Sequence, residues 1–505
     1  MEENKEISQR PEQNMEMSDK YNEPNDPTFE DCELAILRHA VEENKIIQAK
    51  KLVNDENVKK MIQILEKFLI ETKNICYGGT AINNILPKEV QFYDKNLEIP
   101  DYDFYSPIAM EHAIQLADIY YENGYKNVEA KAGVHHGTFK VFVNNIGIAD
   151  ITELNENIYK EMSKETIVID GISYAPPNFL RMAMYLELSR PEGDVSRWEK
   201  VYKRLSLLNK YYPTIHNTEC KAVDFESSLH PNMNNYEKIY YIIRDEFIKQ
   251  GVIFFGGYAD VLYSKYMSNK ASELINKIPD FDVLTEDPEN SSNLLIQTLT
   301  ENGFSNIEKI KNKSIGELIP EHIEILVNGE VFAYIYKPIA CHNYNIVDID
   351  KKEVKIATID TMLSFYLAFY YSGEPYYNKN RILCMSQFLF EIQETNKTQN
   401  KGILKRFNIE CVGKQPTLES IREEKSKKYE ELKNKRNTKE YEYWFLKYNP
   451  AEKEIKNLKM QRKLKLQELS NPVIKTVGGK NKTKKKNYTK KEKKSNKIKT
   501  KKNQI

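Results

Sequence analysis

The chain has 505 residues, 40% apolar and 30% charged, the balance of a soluble globular protein with room for several cores. No run of about 18 apolar residues exists, so no transmembrane helix and no membrane partner are expected; the polar, acidic N-terminus does not read as a signal peptide. The net charge of +1 conceals an asymmetry: residues 480–502 hold thirteen lysines and one glutamate, a net of +12, so the remainder carries about −11.

In chain order, residues 1–27 are rich in Glu, Asn, Gln and Pro and read as disordered. Residues 28–73 read as an N-terminal helical region, with apolar stripes at Leu34, Ile36, Leu37 and Val41 and at Ile62, Leu65, Phe68 and Leu69, both expected in the core. A first α/β unit is expected over 74–215. It opens with a short apolar strand, Asn74-Ile75-Cys76-Tyr77, then Gly78-Gly79-Thr80, then a helical turn halted by Pro87. Strand, glycine turn, helix start is a phosphate-cradling geometry, because bare backbone N–H groups and a helix N-terminus both favour negative charge. Thr80 offers a hydroxyl. Asp101 and Asp103 lie two apart on a predicted strand and so share a face. Asp150, in the apolar run Ile148–Ile151, supplies a third acid. Clustered carboxylates repel unless a hard divalent cation lies among them, which suggests a two-metal site.

Further along, a helix is expected over Ala109–Glu122, and strands near Val128–Ala130, Thr138–Val143 and Ile146–Ile151, with Asn144-Asn145 as a hairpin turn. His135-His136 reads as a loop contact rather than a metal pair, since adjacent strand residues face opposite ways. Within the helical stretch 178–211, Arg197, Lys200 and Arg204 fall on one helix face and are candidates for the triphosphate or an RNA backbone.

The pattern then repeats over 216–400. Phe255-Gly256-Gly257-Tyr258 echoes Tyr77–Thr80, Pro279-Asp280-Phe281-Asp282 echoes Pro100–Asp103, and Val327-Asn328-Gly329 echoes Val143–Asn145. In this second unit Tyr258 replaces Thr80. By the hairpin offset Tyr334 replaces Asp150, with Glu324 as the rival alignment. A pseudo-unit that holds metal poorly is expected. Residues 401–470 read as a charged helical segment whose apolar cluster is Trp444, Phe445, Leu446 and Tyr448. Residues 471–505 read as a disordered Lys-rich tail that binds polyanions without sequence preference or acts as a targeting signal. The six cysteines are scattered with no CxxC pair, so free thiols in a reducing compartment are expected.

Taken together, Gly78-Gly79-Thr80, Asp101-Tyr102-Asp103 and the later acid resemble the nucleotidyltransferase superfamily, with an insertion looped out between Gly79 and Asp101. Leu188-Ser189-Arg190-Pro191 and Arg197–Val201 further resemble the poly(A) polymerase catalytic subunits of large nucleocytoplasmic DNA viruses, of the poxvirus and mimivirus type. The fold class expected is α/β (α+β): tandem nucleotidyltransferase-like units of mixed sheet plus helices, the second degenerate. The resemblance implies an enzyme adding AMP from ATP to an mRNA 3′ end. In it Asp101, Asp103 and Asp150 are catalytic and hold two Mg²⁺ or Mn²⁺ ions, and Gly78, Gly79, Thr80, Arg197, Lys200 and Arg204 bind ATP. It also implies a homodimer or a separate processivity subunit, and a location in the virion and host cytoplasm. A CCA-adding enzyme, a second-messenger synthetase and a non-catalytic RNA-binding subunit are the rival readings.

Overall fold

The computed structural model describes residues 28–470 except 95, 215–219, 221–234, 268–277, 375–376 and 397. The expected disordered end 1–27 and the Lys-rich tail 471–505 lie outside the described residues.

Two helices lead into the first sheet, α1 (Phe29–Val53) and α2 (Glu56–Thr72). Asp55 caps α2 by accepting the N–H groups of Asn57 and Val58, and Leu65, Phe68 and Leu69 are buried as their spacing predicts. The other stripe corrects its expectation. Leu34, Ile36, Leu37 and Val41 are 38–58% exposed, and Ala35 is the buried residue of α1 among those described. Apolar spacing marks a face able to be buried; it does not supply the surface that buries it.

The first unit holds β1 (Ile75–Tyr77), α3 (Gly78–Ile85), β2 (Tyr102–Ser106), α4 (Ala109–Glu122), β3 (Val128–Ala132), β4 (Thr138–Val143), β5 (Ile146–Glu153), α5 (Glu156–Ser163), β6 (Ile167–Ile169), β7 (Ile172–Tyr174), α6 (Pro177–Leu188) and α7 (Trp198–Tyr211). The second holds α8 (Tyr236–Gln250), β8 (Ile253–Phe255), α9 (Gly256–Tyr263), β9 (Phe281–Leu284), α10 (Pro288–Glu301), β10 (Ile307–Asn312), β11 (His322–Val327), β12 (Glu330–Tyr336), β13 (His342–Ile349), β14 (Lys352–Ala357), α11 (Ile359–Tyr370) and α12 (Lys379–Thr395). The charged segment contributes β15 (Cys411–Val412), α13 (Leu418–Leu432), α14 (Lys439–Phe445), β16 (Lys447–Tyr448) and α15 (Pro450–Ser470).

The described strands form two sheets, ordered β16-β3-β4-β5-β2-β1-β7-β6 and β10-β11-β12-β9-β8-β14-β13-β15. Without the edge strands β16 and β15 the two orders are the same, strand for strand. The duplication reaches fine detail. Asn144 and Asn145, and Asn328 and Gly329, all take positive φ in the two hairpin turns. Each hairpin then carries a bulge, at Val141/Phe142 and at Ile325/Leu326.

The units meet through matching helices. α6 packs against α11, and every residue of α11 is buried. Around this contact the Tyr370 hydroxyl donates to Glu165 (2.5 Å), and Phe179 meets the ring of Tyr371 edge-on at 5.2 Å. The Trp444 cluster belongs to the body: Leu446 is buried, β16 adds to the edge of β3, and Tyr448 donates to Asp118 on α4 (2.5 Å).

The cysteines also correct an expectation. Cys220 bonds to Cys384 and Cys341 to Cys411, with Cα atoms 5.8 and 5.2 Å apart, leaving Cys32 and Cys76 free. The partners stand 164 and 70 residues apart. Only the folded chain brings them together, so spacing along the sequence is silent about them.

Arg181, fully buried on α6, fastens α7 in place. It donates to Asn178 and to the Tyr212 carbonyl, and at 2.6 Å to Asn209 on α7. Lysine offers one nitrogen where the fork reaches three partners. Arg181→Lys should therefore lower stability by about 3 kcal/mol, since buried acceptors lose their donors. A urea titration that matches wild type within 0.5 kcal/mol, a difference of the size usual for surface substitutions, would remove this anchoring role.

Candidate active site

The site is built at the start of the first unit. Tyr77 is extended, and Gly78 follows at φ +75°, the left-handed region in which side chains are strained. A Cβ on Gly78 would also lie 2.9 Å from Asp103 Oδ2, so the acid and the glycine turn are in direct apposition. At Gly79 a Cβ would strike the Tyr93 hydroxyl and sit 2.9 Å from Arg204 Nη1. The turn thus presents bare backbone with a carboxylate on one side and a guanidinium on the other.

Strand register gathers the acids. β2 and β5 run parallel with Asp103 directly beside Asp150, and β1 places Tyr77 beside Asp103 on the other side. Asp101 stands just before β2. Burial, then the charges of Asp101 and Asp150, push the Asp103 carboxyl up to about 7. Asp101 is raised too, by loss of hydration in the cleft and then by Asp150. Among the described residues, the one group of three or more Cys, His, Asp or Glu with ligand atoms all within 4.8 Å is Glu192, Cys341 and Cys411, the two cysteines of which are bonded to each other. The aspartates are spread more widely than that. Three hard oxygen donors fit divalent cations such as Mg²⁺ or Mn²⁺.

The other expected residues divide. Thr80 is buried, and its hydroxyl donates to the Asp101 carbonyl (2.7 Å), tying the glycine turn to the start of β2. That hydroxyl braces the turn. Arg204 donates to the Tyr93 hydroxyl (2.8 Å) and lies over the rings of Phe92 and Tyr93. Arg197 pairs with Glu187 (3.3 Å), and its charge also acts on Asp103. Lys200 is exposed on α7. His136 is a loop residue, its ring tilted against that of Trp444 with centroids 4.2 Å apart.

Sequence reasoning missed two residues. Tyr93 comes from the insertion, held where the N–H groups of Phe92 and Tyr93 both donate to Asn83 Oδ1 (2.8 and 3.0 Å). Lys140 on β4 stands directly opposite Asp150 and forms an ion pair with it. Counting back from the hairpin turn puts Phe139 there instead; the bulge slips the register by one, and no motif signals the bulge.

The second unit shows the site dismantled. β9 and β12 place Asp282 beside Tyr334, the register of Asp103 beside Asp150, and Glu324 takes the place of Lys140. This decides between the rival alignments in favour of Tyr334. Tyr258 packs against Phe254 and Phe281. Asp280 is buried, and burial raises Asp282 far above the ordinary carboxylate range, with Asp280 raising it further. Arg381 on α12 lies 4.0 Å from Asp280 and supplies the neighbouring positive charge.

Residues 63–194 match the sequence model of the poly(A) polymerase catalytic subunit family. That stretch contains Gly78, Gly79, Thr80 and the three aspartates; Arg197, Lys200 and Arg204 lie beyond it. A protein of African swine fever virus (strain Badajoz 1971 Vero-adapted), named as a poly(A) polymerase catalytic subunit, is 30% identical over 179 residues, 34% of this chain and 37% of its own length. One of Acanthamoeba polyphaga mimivirus, with the same name, is 34% identical over 158 residues, 30% of this chain and 26% of its own. The chain thus spans between about a quarter and little more than a third of the length of these relatives. The crystal structure of the Megavirus polyadenylate synthase superposes with a TM-score of 0.72 over 95% of both chains at 18% identity, which establishes the shared fold.

Two predictions follow from these acids. Asp103 keeps its proton to about pH 7 when folded, against 3.8 as its ordinary value, so its favourable contribution is full below about 4 and is lost as pH rises to 7. In EDTA the melting temperature should fall across that window, and less so in Asp103→Asn. Mn²⁺ should raise it more at pH 8 than at pH 5, and equal shifts at both would refute the assignment. In the second unit, Arg381→Met should cost about 3 kcal/mol by leaving buried acids uncompensated, and Asp282→Asn in the same chain should recover part of it. A double variant no more stable than the single one would mean that Arg381 does not compensate Asp282.

Proposed function

We propose that the chain is a template-independent polynucleotide adenylyltransferase that adds AMP from ATP to RNA 3′ ends, mRNA among them. The observation that carries this reading is Asp103 and Asp150 side by side across parallel strands, against the Gly78-Gly79 turn. The names of the relatives and the family match over 63–194 support the choice of poly(A) synthesis among nucleotidyl transfers.

Asp101, Asp103 and Asp150 would hold two divalent cations, which when bound supply activation of the primer hydroxyl and neutralisation of the phosphates. The chain's own groups do the rest. The turn at Gly78 and Gly79 lets backbone N–H groups approach the triphosphate without a side chain between. Arg204, fixed by Tyr93 above Gly79, offers a planar donor for the same oxygens. Arg197, in the turn before α7, and Lys200 on α7 add further positive charge. With Tyr334 in the position of the third acid, the second unit acts as a structural or RNA-holding partner to the first. A homodimer or a processivity subunit would complete the assembly, in the cytoplasm of an infected host.

The test is incubation with a short RNA, Mg²⁺ and each nucleoside triphosphate in turn. A long homopolymer with ATP alone is expected, and its loss by more than a thousandfold in Asp103→Ala, about 4 kcal/mol of transition-state stabilisation. A short defined end, or a small primer-independent oligonucleotide, would overturn poly(A) synthesis while keeping nucleotidyl transfer. No incorporation with any nucleotide would overturn the enzyme reading.

A further inference from the structure

One transverse row of the first sheet continues past the acids. From Asp103 the register runs to Asp150 on β5, Lys140 on β4, Lys131 on β3 and Lys447 on β16. Residues directly opposite one another on neighbouring strands share a face of the sheet. The three lysines therefore stand on the face that carries the acids. The intervening residues Val128, Ala130, Phe139 and Val141 are buried on the opposite face. Lysines 131 and 140 keep 43% and 38% of their side chains exposed, and Lys447 is exposed.

Like charges placed directly opposite are unfavourable in a sheet. Here Lys131 faces a lysine on both sides. Lys140 is offset by Asp150, and Lys131 by Glu129 (3.4 Å) and by the ring of Phe142 (4.1 Å). Lys447 is set in the row by β16, a two-residue strand supplied by the distant charged segment, whose Tyr448 turns to the other face to reach Asp118. The second unit keeps neither end of this row: Glu324 stands where Lys140 does, and among the described residues no strand is added to β10. The cationic row thus accompanies the complete acid triad.

We propose that Lys140, Lys131 and Lys447 form a track for the phosphate backbone of single-stranded RNA, leading away from the acids across the sheet, with β16 serving to lengthen it. Neighbouring strands lie about 4.8 Å apart, so the row spaces its charges along a line, as an extended polyanion requires, rather than gathering them around one phosphate. An acidic protein segment is the rival occupant; RNA is favoured because the row begins at Asp150. The inference deepens the proposed activity and rests on it for the choice of RNA.

The experiment is fluorescence anisotropy of a labelled 20-nucleotide oligoadenylate with the full chain, in EDTA, at several salt concentrations. Lys131 and Lys447 are the residues to change, since neither touches the acids. Lys131→Gln with Lys447→Gln should weaken binding roughly tenfold at low salt and reduce the slope of log affinity against log salt by about 1.4, or 0.7 per lost single-strand phosphate contact. The pair changed to arginine should keep both values. The melting temperature of the glutamine variant should hold or rise, because repulsion within the row is relieved. Unchanged affinity and slope would overturn the track and leave the row to an acidic protein. A fall in affinity with an unchanged slope, or with a lower melting temperature, would also overturn it, as a structural effect. Because binding is read without turnover, failure of adenylate addition would overturn the activity and leave this result standing.

Discussion

The structure turns on the placing of like charges side by side. Parallel pairing of β2 with β5 sets Asp103 against Asp150, and the chain before β2 adds Asp101. In water such a group would spread apart; here strand register holds it. The surrounding features compensate or exploit this. Gly78 gives up its side chain so that Asp103 fits, Thr80 ties the glycine turn to Asp101, and Lys140 reaches across the hairpin to Asp150. Burial first, and then the charges of Asp101 and Asp150, raise the affinity of Asp103 for a proton, and a divalent cation would relieve those neighbouring charges.

The second unit is the complementary case. It keeps the strand order, the glycine turn, the left-handed hairpin turn and the bulge, yet closes the site with aromatic packing and a guanidinium. Tyr258 and Tyr334 fill space where the first unit leaves a cleft, Asp280 is buried, and Asp282 beside it loses most of its hydration. Burying them makes their charge costly, and Arg381 stands where it offsets part of that cost. One backbone thus supports an open acidic cleft and a closed core, the difference lying in a handful of side chains. The units then join through corresponding helices, α6 and α11, so the duplicated fold also supplies its own interface.

Much of this was legible beforehand, and the parts that were not share a cause. The glycine turn, Asp101, Asp103, the hairpin at Asn144-Asn145 and the repeat are local signals in which a few adjacent residues specify their own geometry. The preference for Tyr334 over Glu324 followed from keeping the hairpin intact, and strand register upholds it. The misjudged points depend on distant partners. The stripe on α1 lacked a covering surface, and the cysteines paired across 164 and 70 residues.

By itself, then, the sequence determined the element types, the doubled unit and the identity of the acids, because periodicity, turn chemistry and repetition are properties of neighbouring residues. Tertiary structure alone decided which groups meet those acids. Lys140 faces Asp150 because a bulge at Val141/Phe142 slips one hairpin by a residue. Tyr93 reaches Arg204 across 111 positions. Lys447 joins the row because a short strand near the end of the body pairs with β3. Register and long-range pairing are set by the packing of the whole sheet, and a shift of one residue exchanges its faces.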